Sequence, residues 1–139
     1  MNVQRWMVAA GAVAAIAVLE RAAPLVAHHA TTAFYDASRK VEAQGTVTKF
    51  LFKNPHAFLY FNSTDGSGQT IEWQIELGSP LNLARTGWTP DTLKPGMDIK
   101  VAGQPSRAEG THGICCATIT RPDGSPVAPG ARLQEEPRR

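Results

Sequence analysis

Four histidines are the residues of this 139-residue chain whose types and positions suggest chemistry: His28, His29, His56 and His112. If an export signal is removed after Ala27, His28 carries a free α-amine. The amine and imidazole of His28 can then chelate one metal ion, and the imidazole of His29 adds a further nitrogen. Such a set suits Cu(II), which heads the divalent affinity order. Copper is therefore the predicted cofactor, and its binding should weaken on acidification, because all these nitrogens must be deprotonated.

Other interpretations of the histidines stay open. The doublet His28-His29 could be a solvated terminus, His56 a turn residue after Pro55, and His112 an ordinary loop residue. The protein would then be a metal-free module that binds a peptide, a glycan or an envelope protein. A third class, an oxidative copper enzyme, would need an open coordination position as well. The chain has no Ser-His-Asp signature, phosphate loop, HExxH or CxxC, so a non-enzymatic binding role is favoured while an enzymatic one stays open.

Two other pairs of residues could carry chemistry. Cys115 and Cys116 adjoin in a predicted strand, where neighbouring side chains point to opposite faces, so Cys115 should face inward and Cys116 outward. A vicinal disulfide, a dimer linked through Cys116, and Cu(I) binding beside His112 remain alternatives. Glu72 and Glu76 share one strand face about 13 Å apart, which is long for a two-carboxylate glycosidase and typical of a solvated face.

The N-terminus has the pattern of an export signal. Residues 1–5 carry one positive charge, residues 6–19 are uncharged and mostly apolar, and small residues lead to Ala27. This pattern predicts a signal peptide over residues 1–27 and a periplasmic or secreted protein. The apolar run is shorter than the roughly 18–20 residues that a membrane span needs, so no stable span is expected after cleavage. An uncleaved N-terminal anchor is the alternative.

The charge balance excludes one class of partner. The chain has 14 basic and 12 acidic residues, which gives a net charge of +2. Nothing in that balance attracts nucleic acid over long range. The metal ion suggested by the histidines remains the expected partner, and the sequence indicates no particular protein partner.

The remainder of the chain alternates as a small β-domain does. Residues 70–77 place Ile71, Trp73 and Ile75 on one face and polar residues on the other, which is the period of a half-buried strand. Ser79 and Pro80 then favour a short helix. Strands are predicted at residues 41–52, 57–62, 70–77, 97–103 and 114–121. This order predicts an all-β, OB-fold-like five-stranded barrel over residues 28–124, with one short helix between strands three and four. Residues 125–139 are expected to form a disordered tail.

The barrel should bring two of the histidines to one end. His56 lies in the predicted loop between strands one and two, and His112 in the loop between strands four and five, and these loops flank the usual OB-fold binding face. Residues 28–40 can extend up to roughly 43 Å, which is enough to bring the N-terminus across a small barrel.

The segments AHHATTAFYD, GTVTKFLFKNPHAFLYF, WQIELGSPLNLARTGW and LKPGMDIKVAG together resemble a family of small exported bacterial proteins of unknown function. The resemblance covers roughly residues 27–124. It implies export, a small β-barrel, and shared motif positions at the doublet His28-His29 and at His56 in the NPH turn. It implies no activity. The segment HGICC departs from the pattern, so any role of His112 or the cysteines is particular to this protein.

Overall fold

The structure, a computed structural model, describes residues 31–128. A 3₁₀ turn, Thr31–Ala33, precedes the first strand, and a single short helix, α1, follows the third strand. The helix and the strands have these bounds: β1 Val41–Leu51, β2 Phe58–Thr64, β3 Thr70–Glu76, α1 Pro80–Ala84, β4 Asp98–Pro105 and β5 Gly113–Thr120.

The five strands close into a barrel in the order β1-β2-β3-β5-β4, with β4 pairing back onto β1. Neighbouring strands are antiparallel except β3 and β5, which run parallel and pair Gln74 with Gly113 and Glu76 with Cys115. The predicted all-β fold, an OB-like five-stranded barrel with one short helix between strands three and four, is confirmed. The parallel pair matters for function, because it joins the end of β3 to the start of β5.

Alternating side chains explain why the barrel closes around one core. On β3, Ile75 is fully buried, whereas Glu72 and Gln74 are exposed. Burying one such aliphatic side chain stabilises the fold by about 1.5–3 kcal/mol. The largest fully buried side chains come from all five strands and from the segment after α1: Phe61, Leu59, Ile75, Leu93, Ile99, Ile114, Val47 and Val101.

The helix α1 forms where the sequence predicts it. The Ser79 hydroxyl accepts a hydrogen bond from the Asn82 backbone N–H at 3.4 Å, and Pro80 occupies the first turn, where a missing N–H costs nothing. Gly87 then adopts a positive φ of 88° just beyond the helix. Leu83 and Trp88 are buried in the core as a result.

The segment that follows β5 folds back against the barrel. The chain turns at Gly124, and the Arg121 backbone N–H donates to the Ser125 carbonyl at 2.8 Å. Val127 and Ala128 are consequently buried in the core cluster, so ordered packing extends at least four residues past residue 124. The rest of the predicted tail and the predicted signal peptide, residues 1–27, lie outside the described residues. Within residues 31–128, no helix has the length and apolar character needed to cross a membrane.

Candidate functional site

The loop between β1 and β2 places His56 beside the end of β3. The Ala57 backbone N–H donates to the Gly78 carbonyl at 3.1 Å, and the Leu77 N–H donates to the Ala57 carbonyl at 2.9 Å. These two bonds extend the β2–β3 pairing to the loop. His56 then faces Glu76, and its Nδ1 lies 2.6 Å from the Glu76 Oε1. Both side chains are partly buried, with 36% and 27% of their surfaces exposed.

Glu76 is the last residue of β3, and its carboxylate joins two partners. Oε1 faces His56, while Oε2 accepts a hydrogen bond from the Tyr35 hydroxyl at 2.9 Å. Burial raises the pKa of Tyr35, and donation to Glu76 raises it further, so the phenol keeps its proton at neutral pH. The three side chains therefore form one hydrogen-bonded row, His56–Glu76–Tyr35, across the outer face of the barrel.

A docked N-terminal segment supplies Tyr35. Residues 31–36 lie along the chain that follows β4: Tyr35 bridges to Ser106, the Asp36 N–H donates to the Pro105 carbonyl at 2.8 Å, and the Arg107 N–H donates to the Phe34 carbonyl at 2.8 Å. The Arg107 side chain also donates to the Thr32 and Tyr35 carbonyls, at 3.0 and 3.2 Å. Backbone pairing and one arginine thus fix the segment that begins at Thr31.

His112 contacts a different part of the barrel. Its ring packs on the Trp73 indole with centroids 5.1 Å apart, and its carbonyl accepts from the Gln74 N–H at 3.0 Å. Trp73 stacks on the fully buried Phe61, so its side chain lies on the inner side of β3. Glu76 lies three residues further on, on the outer side. The histidines His112 and His56 therefore contact side chains on opposite faces of β3.

The two cysteines lie together, so the prediction that they face opposite sides of the strand is wrong. Their Sγ atoms are 3.1 Å apart, and both thiols are free. Cys115 pairs with Glu76 across the parallel β3–β5 ladder. The pair therefore lies on the Glu76 and Tyr35 side of the barrel.

No group of three or more His, Cys, Asp or Glu side chains within residues 31–128 is arranged to hold a metal ion. His28 and His29 fall outside that range, so the predicted four-histidine metal site stays a prediction. What the described residues do supply is one imidazole held by a carboxylate, which is how proteins orient a histidine that binds a metal.

The sequence alone does not place Glu76 or Tyr35 beside His56. Glu76 has the outward parity of a solvated strand residue, and Tyr35 lies 41 residues earlier in the chain. One signal was available: Tyr35 belongs to the segment AHHATTAFYD, which carries the family resemblance together with the doublet His28-His29.

Comparison with known proteins gives a family and no activity. No curated protein and no solved structure matches the chain significantly. A family model described as a family of unknown function matches residues 13–115, a range that includes all four histidines of the predicted site. The chain belongs to the Family of unknown function (DUF6152).

Proposed function

We propose that the protein is exported and binds copper without catalysing a reaction. In this proposal the α-amine and imidazole of His28, the imidazole of His29 and the Nε2 atom of His56 bind Cu(II). Glu76 and Tyr35 hold His56 in place. The observation that carries the proposal is the row His56–Glu76–Tyr35, which lies at the end of the docked N-terminal segment.

The environment of His56 supports a role as a ligand. When Nδ1 carries the imidazole proton, it donates to the Glu76 carboxylate at 2.6 Å, and the lone pair that a metal needs is on Nε2. A carboxylate on the second nitrogen of a metal-binding histidine fixes the tautomer, orients the ring and raises its basicity. Glu76 in turn accepts a hydrogen bond from the Tyr35 hydroxyl, and this bond fixes the carboxylate that orients the imidazole.

The docking of residues 31–36 supports the participation of the N-terminal histidines. Tyr35 belongs to that segment and also donates to Glu76, so the segment passes beside the carboxylate that holds His56. His29 precedes Thr31 by two residues, and covalent geometry keeps their Cα atoms within about 7 Å.

His112 is left out of the proposed ligand set. Its ring packs on Trp73, which lies on the other side of β3 from Glu76. An amine with three imidazoles completes a nitrogen-rich set without it, and such sets favour Cu(II) over other divalent ions.

One observation favours a second candidate, a metal-free interaction module. Phe34 is 71% exposed and lines a surface pocket of about 530 Å³ with Tyr35 and Arg107. An exposed aromatic ring in such a pocket could bind a peptide or glycan. The aromatic residues of β2 and β3 give no such surface, since all four are partly or fully buried: Phe58, Tyr60, Phe61 and Trp73. The copper proposal therefore takes precedence.

The test starts from the exported protein with its N-terminus determined by mass spectrometry. Cu(II) is titrated into this protein and followed by EPR, which reports nitrogen ligands directly. His56→Ala should weaken binding at least tenfold, while His112→Ala, its matched control, should change affinity less than threefold. A form carrying five extra Gly and Ser residues ahead of His28 displaces the amine and should also bind more weakly. Binding that is micromolar or weaker and unchanged in His56→Ala would refute the proposal.

A further inference from the structure

The cysteines lie together because β5 contains a bulge. The pairing of β4 with β5 matches Ala102 with Thr118 and Gln104 with Cys115, so the two residues Cys116 and Ala117 oppose the single residue Gly103. Cys116 adopts a positive φ of 51°, which non-glycine residues rarely do and which is typical of one bulge class. The bulge interrupts side-chain alternation, and this is why neighbouring thiols can point the same way.

Gly103 makes the bulge possible. A Cβ atom at this position would lie 2.6 Å from the Ile114 Cγ2, 2.7 Å from the Cys115 carbonyl oxygen and 3.0 Å from the Ala117 Cα. Only glycine allows so close an approach of β4 to the bulged strand. The arrangement of the thiols is therefore built into two strands and does not depend on side-chain rotamers alone.

The two thiols have different surroundings. Cys115 is buried, with 2% of its surface exposed, and its Sγ lies 3.8 Å from the Gln104 Oε1. Cys116 is partly exposed. It is therefore the more accessible residue of the pair, and the Cys115 Sγ lies 3.1 Å from its sulfur.

Hydrogen bonding gives the two thiols different pKa values, and Cys116, the more accessible residue, has the lower one. Donation from Cys115, helped by Thr31, lowers the pKa of Cys116 to about 7, although burial opposes this. The same hydrogen bond and burial raise the pKa of Cys115, and so do the nearby charges of Cys116 and Glu76. Near neutral pH the accessible sulfur is therefore the one that ionises.

We propose that Cys116 and Cys115 form a thiol–disulfide exchange site, with Cys116 as the attacking thiol, Cys115 as the resolving thiol, and a small-molecule or exposed protein disulfide as the substrate. This inference does not depend on copper binding.

The exchange reaction proceeds in two steps. The Cys116 thiolate attacks one sulfur of the substrate disulfide, which forms a mixed disulfide and releases the first substrate thiolate. Cys115 then loses its proton to solvent and attacks the Cys116 sulfur, which forms the Cys115–Cys116 disulfide and releases the second thiolate. The protein dithiol loses two electrons and the substrate disulfide gains them.

Adjacent residues make the protein disulfide easy to reverse. Consecutive Cα atoms are about 3.8 Å apart, whereas unstrained disulfides span roughly 4.4–6.8 Å. Strained disulfides are the more reducible ones and occur where exchange is needed. The pair should therefore react readily with an excess of disulfide and be reduced again by an excess of thiol.

The lowered pKa of Cys116 sets the size of the expected effect. At pH 6, a thiol of pKa about 7 is about thirty times more ionised than one of pKa about 8.5. Intrinsic nucleophilicity falls about fivefold over the same difference. Cys116 should therefore react about sixfold faster than an ordinary exposed cysteine at pH 6. Glu76 and Cys115 are the titratable groups that act on it and must be kept unchanged in that comparison.

The test uses the reduced, metal-free, exported protein and oxidised glutathione as the probe. Intact-mass spectrometry follows the wild-type protein, Cys115→Ser and Cys116→Ser. Cys115→Ser should accumulate one glutathione on residue 116, and Cys116→Ser should react at least tenfold more slowly. The wild type should pass through the adduct and end with a mass two hydrogens lower. Because the protein is metal-free throughout, the outcome does not depend on whether the copper proposal holds.

Limited alkylation of the wild type keeps the test decisive if a cysteine variant fails to fold. At pH 6, fragmentation of the labelled peptide should place the alkyl group on Cys116 rather than on Cys115. Equal labelling of the two residues, a glutathione adduct in the wild type that never resolves, a disulfide-linked dimer as the end product, or no reaction with oxidised glutathione would each overturn the proposal.

Discussion

Replacing Glu76 by glutamine tests whether its charge contributes to copper binding. The carboxylate accepts from His56 at 2.6 Å and from Tyr35 at 2.9 Å. A glutamine amide has the same shape: its oxygen can accept from His56 and its nitrogen can donate to the tyrosine oxygen. Glu76→Gln therefore keeps the orientation of the imidazole and removes one negative charge.

The expected loss follows from the geometry. A metal on the Nε2 of His56 would lie about 6–7 Å from the Glu76 oxygen, given the imidazole ring and a metal–nitrogen bond of about 2 Å. The two side chains are 36% and 27% exposed, so an effective dielectric constant well above that of a dry interior applies. With an effective dielectric constant of about 40–80, the attraction between a divalent cation and the carboxylate is about 1.3–2.6 kcal/mol. Affinity should therefore fall about tenfold to eightyfold, within the range seen for groups that orient metal-binding histidines.

The assay is a competition titration of Cu(II) against a chelator of known affinity. Glu76→Ala should lose more affinity than Glu76→Gln, because it also loses the orientation of His56. Tyr35→Phe should lose less, because the charge remains. Glu72→Gln is the matched control: it removes the same charge from the same strand face about 13 Å away, beyond the Debye length of about 10 Å, so its affinity should stay within about twofold of the wild type.

Two results would refute this reasoning. If Glu76→Gln binds Cu(II) as tightly as the wild type while His56→Ala abolishes binding, His56 binds the metal without help from the carboxylate. If Glu76→Gln and Glu72→Gln weaken binding equally, the effect comes from net charge and not from the hydrogen-bonded row.

Three further outcomes are expected. His112→Ala should change Cu(II) affinity less than threefold, because its ring contacts Trp73 and not the row His56–Glu76–Tyr35, and the same competition titration measures this. Gly103→Ala should destabilise the fold by about 1–3 kcal/mol in urea unfolding, because a Cβ would lie under 3 Å from β5, whereas Gly66→Ala, with no heavy atom within 4 Å, should stay within about 0.5 kcal/mol. Thr31→Val removes a donor to Cys116 and should raise the pKa of that thiol; a rise of half a unit would slow its alkylation at pH 6 up to about threefold, seen as an upward shift of the pH profile. An unchanged stability of Gly103→Ala or an unchanged pH midpoint of Thr31→Val would contradict the last two, and a large loss of affinity in His112→Ala would contradict the first.

The barrel could be predicted because its signals are local. Alternation over residues 70–77 marks β3, and Ser79-Pro80 marks the start of α1, and both features depend on neighbours within a few residues. The packing of residues 125–128 could not be predicted in this way, because Val127 and Ala128 become buried only when the chain folds back against the core.

The candidate site depends on long-range pairing, so the sequence predicted only part of it. His56 is marked by its place in the NPH turn, but Glu76 meets it only through the contacts between the loop and β3. Tyr35 arrives through the docking of residues 31–36 beside Ser106. The convergence of the cysteines follows from a register shift opposite Gly103, which no strand periodicity reveals.

EPR of the exported protein loaded with one equivalent of Cu(II) tests most directly whether His28, His29 and His56 bind copper. The wild type and His112→Ala should give a spectrum with nitrogen ligands, and His56→Ala should give a different, weaker-binding species. The absence of a nitrogen-rich signal in the wild type, or the same spectrum and affinity in His56→Ala, would contradict it.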